Sequence, residues 1–308
     1  MIRLPFLVLL WCVATYASAA DVVPIAPVID AYPHPSPDGR RVVFQSDRGG
    51  VPQVYVADID GRHLQRLTDH ALGCRTPKWS PDGRRIVYTI GTDMTSDIWV
   101  MDADGAHQHA LVATPGDDSH PQWSPDGTHV IFNTSRSASA GTGTWDDIHI
   151  VDADGTHMRR LTDCRATCTY PSLSPDGKRM VFRRVEHRPG RDWAQQPVDT
   201  NSEIAIADSD GRHVRALAPD PAFDGWPAWS PDGRWIAFAS GRGGVAYASQ
   251  VYLVHPDGSG LHAVTQGPWS HAQPAWSRDG RSLLVYRSWE TADSESGMVA
   301  RVPLPASD

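Results

Sequence analysis

One tetrapeptide, Ser-Pro-Asp-Gly, returns along this chain at intervals too regular for chance. It begins at Ser36, Ser80, Ser124, Ser174 and Ser230, with a degenerate sixth copy at Ser277-Arg278-Asp279-Gly280. The steps between starts are 44, 44, 50, 56 and 47 residues, the period of a unit of four short strands repeated around an axis. The tetrapeptide has the chemistry of a turn. Proline presets φ at the second position, Ser and Asp bond to nearby backbone, and Gly takes the position where φ is positive.

Each turn is followed by a short apolar run: Val42-Val43-Phe44, Ile86-Val87-Tyr88, Val130-Ile131-Phe132, Met180-Val181-Phe182, Ile236-Ala237-Phe238 and Leu283 to Tyr286. These runs are apolar on both faces, as strands buried between neighbouring units must be. A second run follows, as in Val54-Tyr55-Val56 and Ile98-Trp99-Val100, and leads to an Asp-x-Asp-Gly turn ending at Gly61, Gly105, Gly155 or Gly211. Asp-Gly between two strand patterns signals a hairpin. The pattern predicts an all-β six-bladed propeller of four-stranded antiparallel blades, a single domain over residues 21–308.

The last unit runs out of chain after its third strand, near Met298 to Val302. The segment Val22 to Val28 belongs to no complete unit and is expected to supply the missing outer strand, so that the N-terminal strand closes the last blade. Pro24 and Pro27 suit an edge strand, where a missing N–H donor is tolerated. Residues 1–20 read as a secretory signal: Arg3 first, an apolar run from Leu4 to Val13, and small residues at Ala17 to Ala20. The run is too short for a membrane span and no other segment is long enough. Cys12 follows Trp11, a poor setting for lipid attachment, so the expectation is a soluble periplasmic or secreted protein.

The net charge of −8 becomes −9 once Arg3 leaves with the signal, which argues against nucleic acid as a partner. Three cysteines remain. Cys164 and Cys168 share one loop and form a disulfide candidate in an oxidising compartment, leaving Cys74 as an odd thiol.

The repeat at Pro77 to Tyr88, Pro-Lys-Trp-Ser-Pro-Asp-Gly-Arg-Arg-Ile-Val-Tyr, resembles the WD-like Pro-Asp propeller repeat of the TolB family, and the resemblance covers about residues 30–302. It implies a six-bladed propeller in the periplasm that binds proteins without performing chemistry. TolB carries an α/β domain ahead of its propeller, whereas about ten residues separate the signal from the first repeat here. Similar repeats accompany hydrolase domains in dipeptidyl-peptidase-like enzymes, but no Gly-x-Ser-x-Gly elbow is present. Oligogalacturonate lyases use a comparable propeller with a metal on sugar polymer.

Within a propeller, loops entering the innermost strands share a face with loops joining the second and third strands. The latter span 10 residues from Phe44 to Val54 and from Tyr88 to Ile98, but 16 from Phe132 to Ile148 and 22 from Phe182 to Ile204. The extra length predicts a binding rim at blades three and four. Aromatic residues gather there: Trp145 and Trp193 in the long loops, Trp226 and Trp269 before innermost strands, and Tyr170 and Tyr32 at the position of Trp226. Three residues before each strand proline stand Asp30, Cys74, Asp118, Cys168, Asp224 and His271. These types either bond loop backbone or meet a ligand. His120 beside Asp117 and Asp118, with His271 elsewhere on the ring, comes nearest to a reactive cluster.

The candidate binding set is therefore Trp145, Trp193, Trp226, Trp269, Tyr170, Asp118, His120, Asp224 and His271. No catalytic residue, metal site or cofactor is assigned. The expected partner is an envelope protein or polysaccharide held by a non-enzymatic scaffold. A metal-assisted lyase or hydrolase acting on saccharide, and a lectin-like sugar binder, are the alternatives. Partner identity and oligomeric state stay open.

Overall fold

The computed structural model describes residues 28–92, 95–137, 146–185, 202–243, 248–291 and 294–305. Six antiparallel sheets follow one another along the chain, one per repeat. In the first, β1 (Asp30–Pro35), β2 (Arg41–Ser46), β3 (Gln53–Asp58) and β4 (Gln65–Arg66) form a meander running outward from the axis. The innermost strands of the other blades are Cys74–Trp79, Asp118–Trp123, Thr167–Leu173, Asp224–Trp229 and Ser270–Trp276. Among the described residues the one helical turn is Ser135–Ser137.

The Ser-Pro-Asp-Gly turns are built as their residues require. Ser36 Oγ donates to Asp38 Oδ1 at 2.6 Å and accepts from the Arg41 N–H at 2.9 Å, while Gly39 adopts φ 73°. In the Asp-x-Asp-Gly hairpins the following histidine completes the turn: His63, His107, His157 and His213 each bring Nδ1 to an aspartate of the same hairpin, at 2.5 to 2.8 Å.

The core lies between blades. Val43, Val54 and Val56 of the first blade pack with Trp79, Ile86 and Tyr88 of the second, and the scheme repeats until Val42, Phe44, Tyr55 and Ala57 meet Leu284 of the last blade. That contact closes the ring. The repeat tryptophans are interface residues. Arg41 lies 4.8 Å over Trp79, Arg85 4.5 Å over Trp123 and Arg179 5.0 Å over Trp229, each arginine reaching from one blade to the next.

The last blade has three strands among the described residues, Ser270–Trp276, Ser282–Thr291 and Ser294–Pro303. Ile29 pairs with Gly297 in parallel, and the Gly297 N–H donates to the Val28 carbonyl at 3.1 Å. A Cβ on Gly297 would sit 2.1 Å from the Tyr286 ring, so the contact needs glycine. The end of the predicted closing segment thus lies against the third strand of the last blade. Residues 22–27, like the signal region, fall outside the described residues.

Candidate functional site

Each innermost strand breaks register once, and at that bulge one residue turns left-handed. Tyr32, Thr76, His120, Tyr170, Trp226 and Gln273 all have φ between 50° and 55°, an unfavourable backbone for bulky side chains and one retained only where surroundings over-determine it. Here neighbouring blades hold it. The Tyr32 N–H donates to Gln273 Oε1 at 2.7 Å and the Thr76 N–H to Gln45 Oε1 at 3.1 Å. The result is a ring of six side chains on the propeller axis.

Four of the six are aromatic rings. The Tyr32 and Tyr170 hydroxyls meet at 3.4 Å, from the first and fourth blades. The His120 ring lies 3.8 Å from that of Tyr170, with Trp226 at 5.7 Å on another side. Phe223 packs 5.2 Å from Trp226, and Arg183 lies 5.1 Å over Phe223. His120 Nδ1 meets Asn133 Oδ1 at 2.9 Å, and Asn133 Nδ2 donates to Ser119 Oγ and to Asp146 Oδ2.

Two residues further along each strand a second ring follows: His34, Lys78, Gln122, Ser172, Ala228 and Ala275. The two rings enclose a cavity of about 230 Å³. A second cavity of about 350 Å³ continues past His34, Lys78 and Gln122 toward the Ser-Pro-Asp-Gly turns.

Burial governs the electrostatics here. It lowers His120 to about 4, keeping the ring neutral, and lowers His34 well below the usual histidine value, with the Lys78 charge adding to the effect. Burial alone brings Lys78 down to about 8. The Tyr32 phenol is raised by burial and by Tyr170, so it stays a donor. Asp146, behind Asn133, is pushed up to about 7 by burial and then by Asp117. The cavity lining therefore offers neutral donors, aromatic faces and one ammonium group, with the part-buried Arg183 guanidinium, which donates to Ser202 Oγ, acting on Tyr32, Tyr170 and His120 from behind.

The sequence-derived residues divide sharply. Tyr170, Trp226 and His120 converge on the axis. Asp118 and Asp224 are wholly buried and face arginines: Asp118 with Arg136, Asp224 with Arg242 at 2.7 Å. Asp30 and Arg48 repeat the pair at the more open first blade. Burial still raises Asp224, to about 6. His271 is buried with Nδ1 3.1 Å from Gln250 Oε1. Trp269 is 44% exposed and stands apart from the axis, edge-on to Trp289 at 5.8 Å. Trp145 and Trp193 lie outside the described residues. Cys164 and Cys168 are joined by a disulfide, and Cys74 is buried outside any disulfide. Among the described residues no three His, Cys, Asp or Glu side chains converge to hold a metal ion, so Asp118, His120 and His271 do not form one cluster. Sequence reasoning passed over Lys78, His34 and Gln122. Each directly follows a strand proline, Pro33, Pro77 or Pro121, and reading one position on from those prolines would have found them.

The family described as the TolB beta propeller domain matches residues 69–184. The Tol-Pal system protein TolB of Bordetella pertussis is 50% identical over 36 residues, 12% of this chain and 8% of that protein. Residues 69–184 are of the TolB propeller type, and the described residues as a whole share that fold. This TolB-like chain matches only a small part of that relative's length by sequence. Its fold matches far more widely: a TolB-type structure from Agrobacterium tumefaciens covers 91% of this chain and 92% of its own, with 22% identity and a TM-score of 0.66. TolB from Acinetobacter baumannii gives 20% identity and 0.62, over 90% of this chain and 67% of its own. An oligogalacturonate lyase in complex with manganese shares the architecture at 14% identity and 0.54, over 91% and 90%. At these identities the structural likenesses speak for the fold alone. Among the described residues no helix is long and apolar enough to cross a membrane.

Proposed function

We propose that this chain is an exported, non-enzymatic TolB-like scaffold, released by cleavage of residues 1–20, that captures an envelope protein or polymer on its long-loop face. The observation carrying the reading is the aromatic ring at the channel, where Tyr32, His120, Tyr170 and Trp226 are held in left-handed backbone. Innermost strands run from the long-loop face toward the Ser-Pro-Asp-Gly turns, so this ring forms the end of the channel nearer the long loops. Aromatic side chains in a rigid frame give contact area at little entropic cost, and strained backbone of this kind collects at binding sites. The match to a Tol-Pal system protein supports an envelope partner.

The test is retention of envelope components on immobilised protein, compared with Tyr170→Ser/Trp226→Ala and with a deletion of residues 186–199. The scaffold reading expects one component retained by the parent and lost by both variants. Equal retention by all three would overturn it, as would metal-dependent turnover of a saccharide by the parent protein. The exposed Trp269 face favours saccharide if the captured species is a polymer. Glycan-array binding lost on Trp269→Ala reads that directly.

A further inference from the structure

The second ring contains a cation that nothing in the blades neutralises. Lys78 lines both cavities, and among the described residues its ammonium has neither an ion-pair nor a hydrogen-bond partner. The protein as a whole is acidic, at −8, yet neither cavity is lined by an aspartate or glutamate among the described residues. Around Lys78 stand neutral donors. His34 Nδ1 accepts the Trp79 N–H at 3.2 Å, which leaves the proton of the neutral ring on Nε2. The Gln122 amide also lines both cavities. At the far mouth Arg278 stands between the exposed Pro81, Pro125 and Pro231.

We infer that the axial channel binds a small organic monocarboxylate, its carboxylate against Lys78 and its body between Leu173, Ala228 and Ala275. One ammonium lines the inner cavity, so one negative charge balances it. A dianion would be left with an excess charge in a site whose histidines are neutral. A half-buried cation with no partner gains from an anion that enters its cavity, and charge-assisted hydrogen bonds are the stronger kind. The volume of about 230 Å³ suits a molecule well below drug size. This site lies beneath the aromatic ring and does not depend on what the long-loop face captures.

Calorimetric titration of the full mature protein at pH 7 in a carboxylate-free buffer tests it, with benzoate, inorganic phosphate, and one short peptide carrying either a free or an amidated C-terminus. Benzoate is expected to bind at one site, with affinity reduced about tenfold or more in Lys78→Met, the loss that follows removal of a charged hydrogen-bond partner. Lys178→Met, in an exposed turn, keeps the parent affinity. Unchanged affinity in Lys78→Met overturns the assignment. So does absence of benzoate binding by the folded parent, tighter binding of phosphate, or binding confined to the free-terminus peptide, which would make the site a chain-end receptor. A second readout is the Lys78 side-chain resonance of the parent protein: benzoate shifts it under the proposal, and an unmoved resonance at saturation refutes it.

Discussion

Replacing Lys78 by Met should make the empty protein more stable. Burial alone lowers Lys78 from 10.5 to about 8, and each decade is worth about 1.36 kcal/mol. The full drop would correspond to about 3 kcal/mol. Lys78 is half-buried and channel water screens part of its charge, so the expected gain at pH 7 is about 1–3 kcal/mol. The sign in pH follows from linkage. The folded value lies below the unfolded one, so between about 8 and 10.5 the unfolded chain holds the extra proton and the parent protein gains stability as pH rises. Below that window the penalty is complete; above it the penalty is gone. Paired urea denaturation of parent and Lys78→Met from pH 7 to 11 measures the difference, and titrations common to both cancel. A gap near zero at pH 7, or one that stays constant through the window, refutes the assignment of Lys78 as an unpaired, partly desolvated cation.

The remaining predictions concern other parts of the ring. Arg242→Ala should destabilise by about 3–5 kcal/mol, because Asp224 is then buried without a counter-charge; Asp224→Asn together with Arg242→Met should recover much of the loss in denaturant melts. His120, lowered to about 4, should show no imidazole titration by NMR between pH 5 and 8. Its folded value lies below the unfolded 6.5, so it removes stability as pH falls from 6.5 to 4, and His120→Gln should flatten that part of the acid-unfolding curve. Cys164→Ser with Cys168→Ser opens a very short loop, for which chain entropy gives about 2 kcal/mol; a drop in midpoint matched by adding reductant to the parent checks it.

The architecture was legible because one turn type per blade is written in residues whose backbone demands are unambiguous. Gly39 and its five counterparts take positive φ, and the prolines of five of the six turns are unsuited to a helix interior. Two periodic signals went unread. One is the arginine that follows each of Asp30, Asp118 and Asp224 at a separation of 18 residues. It places the partner at the far end of the second strand, alongside the aspartate. Read together, those pairs mark the three acids as ion-pair partners of the loop face instead of open ligand groups. The other signal is the bulge. A residue before proline ordinarily favours extended backbone, so nothing local announces that Tyr32 or His120 will turn left-handed. The cross-blade bond from Tyr32 to Gln273 and the bond from His120 to Asn133 on the next strand of its own blade decide that, and the first joins residues that only ring closure brings together.

The same closure explains why Lys78 carries more information than its neighbours. The six axial positions are equivalent by repeat, yet the fold is satisfied with Ala228 and Ala275 at two of them and Ser172 at a third. Blade packing therefore makes no demand for a long cationic side chain on the axis. Its charge lowers stability wherever it lies unpaired, as the depressed value of about 8 records, and residues that oppose stability without serving packing are the ones that binding sites collect. The ammonium, the neutral His34 ring and the Gln122 amide together make the channel a donor-rich interior in an acidic protein. A void kept only by the geometry of six wedges would need none of them.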